Sequence, residues 1–134
     1  MKIIEALSIL KNNCSTQLDN IRLKIKLSPS EFNALLSIDK NEKLTCQNLS
    51  AKMGLSSSRG SRVISKLIHR GYLKEEKHKK DKRCNIISLS SKGLKVKDEI
   101  EELLSECEKK IRTKLTNQEL QSIKGNLEKL IKIL

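Results

Sequence analysis

Apolar residues in the first 26 positions recur at the spacing of a helix. The repeating positions are Ile4, Leu7, Cys14, Leu18, Ile21 and Ile25. Intervals of three, four and seven residues place them on one face, so the pattern predicts an amphipathic helix. A second, short helix should begin at Ser28, because Ser28-Pro29-Ser30-Glu31 combines a capping box with proline at the first helical position.

A short helix, a glycine turn and a longer helix are predicted next. Thr45 is a good N-cap residue for the short helix, and Gly54 stands where a left-handed C-cap residue belongs. Ser56 or Ser57 opens the longer helix, and Gly71 closes it. Two helices joined by a tight glycine-bearing turn are typical of a helix-turn-helix.

Strand-like runs follow at 72–76 and 84–89, and the polar loop 77–83 between them predicts a hairpin, the wing. A long helix begins after 90–93, and a capping box at 116–119 opens the last helix. The predicted fold class is mainly α with a small β-hairpin wing. This is a winged helix-turn-helix with N- and C-terminal dimerisation helices.

The amount and position of the charged residues indicate which kind of partner the predicted fold binds. The chain has 28 Lys and Arg against 16 Asp and Glu, a net charge of +12. Residues 57–97 alone hold 13 basic residues and three acids, including four of the six arginines. A bias of the genome towards lysine would not gather the arginines there. A localised positive field favours nucleic acid as the partner.

The rarer residue types narrow the functional classes. Phe32 and Tyr72 are the only aromatic residues, too few to stack unpaired bases, so duplex DNA is favoured over single strands or RNA. The four cysteines form no CxxC pair and no zinc-finger spacing with histidine, so no metal and no cofactor is predicted. Phosphate loops and nucleophile elbows are absent, which argues against an enzyme.

The longer helix is predicted to read DNA. Hydroxyls and basic side chains lie opposite its apolar stripe, where they suit major-groove edges and phosphates. The candidate DNA-binding residues are Thr45, Ser57, Ser58, Arg59, Ser61, Arg62 and Lys66, with Lys79, Lys80, Lys82 and Arg83 in the wing. Arg83 suits insertion into a minor groove, and Asp81 is expected to orient it. A solvated helix face and a plain surface hairpin are the alternatives.

The chain is expected to be one domain, 1–134, with a DNA-binding lobe at 29–92. Segments 1–26 and 93–134 form the predicted helical dimerisation region, because their apolar stripes exceed what a small core can cover. No apolar run is long enough to span a membrane, and Glu5 interrupts any signal-like start. A soluble cytoplasmic protein is therefore expected.

Several runs together resemble the MarR family of bacterial transcription regulators. They are Leu55–Leu67, Gly71-Tyr72-Leu73, Asp81-Lys82-Arg83 and Leu89-Ser90-Ser91-Lys92-Gly93. The Asp-x-Arg wing and the Leu-Ser-x-x-Gly exit are the most specific. The resemblance implies a homodimer on a palindromic operator, usually a repressor in bacteria or archaea, often released by a small molecule or an oxidant.

The sequence departs from the family pattern at three places. Gly60 stands where an apolar residue is usual, and glycine inside a helix is destabilising by roughly 1 kcal/mol relative to alanine. A looser recognition helix is therefore expected. Ser65 stands where the family often has aspartate, and Glu75 and Glu76 stand where it often has arginine. Ion pairs known in relatives are not assumed here.

Two further interpretations stay open. Cys46, at a helix start, and Cys84, beside Arg83, are candidate redox sensors, whereas Cys14 and Cys107 lie in apolar stripes and are expected to be inert. The alternative function is a winged-helix architectural or protein-interaction module without operator specificity. Such a module would tolerate loss of Arg59 better than loss of bulk charge.

Overall fold

The computed structural model describes residues 1–80 and 85–134. Its elements, in chain order, are α1 (Ile3–Ile25), α2 (Pro29–Ser37), β1 (Leu44–Thr45), α3 (Cys46–Lys52), α4 (Ser57–His69), β2 (Leu73–Lys77), β3 (Asn85–Leu89), α5 (Ser91–Arg112) and α6 (Asn117–Ile133). The predicted fold class, helices with a small β wing, is confirmed.

Local capping chemistry sets most helix ends. The Ser28 hydroxyl accepts the Glu31 N–H, and the Glu31 carboxylate accepts the Ser28 N–H in return. Thr45 caps α3, Ser56 caps α4, and Thr116 with Glu119 forms the second predicted box before α6. These caps satisfy N–H groups that a helix leaves unpaired in its first turn.

The sheet has three antiparallel strands in the order β1-β3-β2. The predicted hairpin is present, with Leu73 opposite Leu89 and Lys77 opposite Asn85. The strand β1 was not predicted; it pairs Leu44 with Ile87 and Thr45 with Ile86. A two-residue strand carries no periodicity of its own, so only the pairing defines it.

The chain divides into two compact units, Met1–Ile100 and Glu101–Leu134. In the first unit, side chains from the helices and the sheet form one core, whose fully buried members include Leu35, Ile38, Leu49, Ile64, Leu67, Ile87 and Ile100. The second unit contains the end of α5 and all of α6, and none of the residues of α6 is buried. The division into a DNA-binding lobe and a dimerisation region stays a prediction.

Candidate nucleic-acid interface

The helix-turn-helix comprises α3, the turn that follows it, and α4. Gly54 has φ +71°, a left-handed conformation that glycine adopts without strain and that lets the chain leave α3 sharply. The Asn33 side-chain amide of α2 donates to the Met53 carbonyl at 3.1 Å. The end of α3 is therefore held against α2 by a hydrogen bond as well as by apolar packing.

The outer face of α4 presents the residues predicted to read DNA. All six predicted side chains of this helix are exposed: Ser57, Ser58, Arg59, Ser61, Arg62 and Lys66. The opposite face buries Gly60, Ile64 and Leu67. The Ser56 hydroxyl caps the helix by accepting the Arg59 N–H at 3.3 Å. The arrangement offers hydroxyl donors and two guanidinium groups on one unobstructed surface.

Gly60 marks a close approach of α4 to α3. A Cβ atom built at Gly60 would lie 1.9 Å from the Ser50 Oγ and 2.4 Å from the Ser50 Cβ. The Ser50 hydroxyl donates to the Cys46 carbonyl at 2.8 Å, so this side chain is itself fixed. The sequence suggested that Gly60 loosens the recognition helix. The geometry indicates instead that glycine permits the two helices to pack in contact.

An ion pair fixes the far end of α4. The Arg70 guanidinium donates to the carboxylate of Glu31, whose side chain is buried at the start of α2. Burial alone would raise the pKa of Glu31, but hydrogen bonds from Ser28 and the contact with Arg70 outweigh it and hold that pKa below 4.5. Arg70 thus joins the recognition helix to α2.

The Leu-Ser-x-x-Gly exit is a packed junction. The Ser90 hydroxyl donates to the Gly71 carbonyl and accepts the Gly93 N–H at 3.0 Å. A Cβ at Gly93 would lie 2.0 Å from the Tyr72 carbonyl oxygen. Lys92 places its Nζ 4.5 Å from the centre of the Tyr72 ring, a cation–π distance. The motif therefore fixes where α5 starts relative to the sheet.

Lys97 adds a buried charge on α5. Lys97 is only 5% exposed. Its Nζ donates to the carbonyls of Leu35 at 2.7 Å and Leu36 at 3.3 Å. These carbonyls belong to the last turn of α2, where a helix dipole favours a cation. In the sequence, Lys97 is distinguished only as one of the 13 basic residues of segment 57–97.

The described part of the wing is basic and exposed. Lys79 and Lys80 are both exposed, and the Lys80 N–H donates to the His78 Nδ1 at 3.1 Å. Asn85 donates from its side chain to Glu75 across the hairpin. The predicted contacts Lys82 and Arg83, the orienting Asp81 and the candidate sensor Cys84 lie outside the described residues.

The remaining candidates occupy different environments. Thr45 is half-buried, and its hydroxyl accepts the Asn48 N–H at 3.1 Å. Cys46 and Cys107 are half-buried, and Cys14 is exposed. Within a single chain Cys14 is thus not a core residue, and its expected inertness stays a prediction. No group of residues among 1–80 and 85–134 could hold a metal ion, and no helix there is long and apolar enough to cross a membrane.

Comparison with known proteins identifies the lobe that carries these features. The sequence model of the MarR family matches residues 27–85. The HTH-type transcriptional regulator BilQ of Clostridium symbiosum is 28% identical over 96 residues, which are 72% of this chain and 67% of BilQ. The helix-turn-helix and the described part of the wing are therefore similar to the MarR family over residues 27–85.

Solved structures show the same fold along almost the whole chain. NadR in complex with 4-hydroxyphenylacetate matches with a TM-score of 0.79 and 21% identity, covering 100% of this chain and 95% of NadR. A mutant of S. aureus MepR bound to an oligodeoxyribonucleotide matches with a TM-score of 0.68 and 15% identity, covering 98% and 97%. At these identities the likeness concerns the fold.

Proposed function

We propose that this chain is a cytoplasmic repressor of the MarR family that binds a palindromic operator as a homodimer. The exposed face of α4 carries the proposal, because its hydroxyls and its two arginines, Arg59 and Arg62, stand opposite the buried face of the same helix. Such side chains near a helix N-terminus suit base edges in a major groove. The wing would contact the adjacent minor groove through Lys79 and Lys80, which are exposed, and through Arg83.

Exposed apolar side chains support the homodimer. On α1, Ile3 is 73% exposed, and Ile9 and Leu10 are also exposed. On α6, Ile131 is 75% exposed and Ile123 is exposed as well. Exposed apolar side chains on a helix are often covered by a partner in the assembled protein. A second copy is the simplest partner, because a two-fold interface pairs the same surface with itself and matches a two-fold operator.

Selection from randomised duplexes, followed by sequencing, tests the operator. We expect enrichment of a palindrome whose half-sites lie about one helical turn, 10 to 10.5 base pairs, apart. Arg59→Ala should weaken binding by about 1 to 3 kcal/mol and relax the preference at one position per half-site. Arg83→Ala should weaken binding to all sequences alike, as expected for a wing contact.

Arg112→Ala is the matched control, since it removes an exposed arginine from α5. It should leave both affinity and sequence preference unchanged. Equal losses on every sequence for the Arg59 and Arg83 variants would contradict base reading by Arg59. Salt-dependent binding with no enriched sequence would instead support the architectural or protein-interaction module.

Release by a small molecule is the regulatory part of the proposal. A cleft of about 230 Å³ lies between α1 and α2 and is lined by Arg22, Phe32 and Asn33, among others. The Arg22 Nε is buried, lies 3.6 Å from the Asp19 carboxylate, and makes no hydrogen bond within the described residues. Aromatic carboxylates are therefore the first compounds to screen, by loss of operator binding, with Arg22→Gln as the variant that should become insensitive.

Release by an oxidant is tested on the same duplex. Cys46→Ser and Cys84→Ser should each be compared with the unaltered protein in mild peroxide. If one cysteine is the sensor, its serine variant alone keeps binding after oxidation. Equal loss in both variants and in the unaltered protein would contradict a role for either thiol.

A further inference from the structure

The outer face of the wing sheet contains a basic cleft, and only two of its lysines, Lys79 and Lys80, are among the predicted DNA contacts. Its volume is about 430 Å³, and Ile86 forms part of its wall. The charged and polar side chains around it are Lys43, Glu76, Lys77, His78, Lys79 and Lys80. Lys43 comes from the chain just before β1, and the others come from β2 and the start of the wing loop.

Strand register explains why Lys43 belongs to this surface. Thr45 pairs with Ile86 on one side of β3, and Glu76 pairs with Ile86 on the other. Side chains alternate between the two faces of a strand, so Thr45, Glu76 and Ile86 share one face, and Lys43, just before β1, lines the same cleft as Glu76 and Ile86. The buried Ile87 points to the opposite face, towards the core. The unpredicted strand β1 therefore adds a lysine to the outer face of the wing.

Charge makes the cleft attractive to a phosphate group. Among the described residues that line it, four are lysines and Glu76 is the only acid. A concave surface lined by one sign of charge concentrates the potential and gathers counter-ions. A backbone phosphate of DNA carries a single negative charge, which four lysines can neutralise even with Glu76 nearby.

The position of the cleft also points to DNA. Thr45, two residues after Lys43, is the N-cap of α3, the first helix of the helix-turn-helix. The cleft therefore extends from the beginning of the helix-turn-helix along the wing. We propose that it binds a phosphate of the DNA backbone and that Lys43 supplies a contact from outside the hairpin. This inference rests on the proposed DNA-binding function and adds a residue to it.

The salt dependence of operator binding tests the contact. Each neutralised phosphate contributes about 0.9 to the slope of log K against log salt concentration. With two clefts in a dimer, Lys43→Gln should lower the magnitude of that slope by about 1.8. Between 50 and 200 mM salt, the affinity of the unaltered protein should then fall about 12-fold more than that of the variant.

Lys95→Gln is the control, because it removes the same charge from an exposed position on α5. It should leave the slope unchanged, and Lys43→Arg should keep it close to the original value. A slope for Lys43→Gln equal to that of Lys95→Gln would overturn the contact. Thermal unfolding of each variant verifies that the exposed substitutions leave the fold intact.

Duplex length and a competing anion separate the remaining explanations. On duplexes shortened until the flanking phosphates are gone, unaltered protein and Lys43→Gln should bind equally. Competition by inorganic pyrophosphate that requires Lys43, with an unchanged salt slope, would overturn DNA as the occupant. If the unaltered protein binds no duplex at all, the proposed function itself fails. If the unaltered protein binds the operator and Lys43→Gln leaves the salt slope unchanged, only the role of Lys43 is refuted.

Discussion

Gly60→Ala should destabilise the protein, although alanine is the better helix former. The added Cβ would lie 2.4 Å from the Ser50 Cβ, whereas ordinary contact begins at 3.4 Å. Because the Ser50 Cβ is attached directly to the backbone of α3, no side-chain rotation can relieve this contact. The two helices must separate by about 1 Å, and a shift of that size disrupts a close-packed interface.

The expected loss can be estimated from two opposing effects. Overpacking of this kind destabilises by about 1 to 3 kcal/mol, and a contact fixed by backbone belongs at the upper end. Replacing glycine by alanine within a helix recovers up to about 1 kcal/mol. The free energy of unfolding should therefore fall by about 2 kcal/mol. Urea denaturation at a fixed protein concentration measures it, since a dimer's stability depends on concentration.

Second substitutions at Ser50 make the prediction specific. Ser50→Gly removes both the Oγ and the Cβ, leaving the Cα at 3.1 Å. Because glycine within α3 is itself destabilising, rescue is measured against the Ser50→Gly single variant, in which Gly60→Ala should cost much less than in the unaltered protein. Ser50→Ala removes only the Oγ and should restore little. Equal rescue by both, or a Gly60→Ala variant as stable as the unaltered protein, would refute the close approach inferred between α3 and α4.

Two buried charges give the remaining predictions. Glu31→Gln should lower the free energy of unfolding at pH 7 by about 1 to 2 kcal/mol, discounted because Arg70 is partly exposed. The pKa of Glu31 is depressed in the folded state, so its stabilisation is complete above pH 4.5 and is lost as the pH falls through the folded value. A difference that stays constant from pH 3 to 7 would contradict this reasoning. Lys97→Met should lower the free energy of unfolding by about 2 kcal/mol, because two helix carbonyls lose their donor. In urea unfolding the exposed Lys95→Met should change little, and an equal loss in both variants would show that the buried donor is unimportant.

The parts of the fold that the sequence predicted are those decided by neighbouring residues. The capping boxes at Ser28 and Thr116 need only residues three positions apart, and the apolar spacing of α4 predicted its exposed face. The strand β1 could not be predicted, because its two residues are defined by pairing with β3, about 40 residues further along the chain. Contacts between distant segments leave no periodic pattern.

The candidate site shows the same limit. The charge on α4 was visible in the sequence, but the sequence could not separate Arg59, which is exposed, from Arg70, which pairs with Glu31. Glycine at position 60 suggested weakness in the helix, because propensity describes one helix in isolation. Its value depends on Ser50, a residue of another helix, and only the packed structure shows that.

The contacts of α2 bear on how any ligand could influence DNA binding. Arg70 holds its N-terminal end to α4, Lys97 holds its C-terminal end to α5, and Asn33 holds its middle to the end of α3. A displacement of α2 must therefore break these polar contacts or move both helices of the helix-turn-helix with it. A ligand shifts a conformational equilibrium only by its differential affinity for the two states. A compound bound between α1 and α2 can thus weaken DNA binding only if it favours a different position of α2. Asn33→Ala should reduce that coupling, and because Asn33 also lines the cleft, the affinity of the variant for the compound is measured beside the release of DNA.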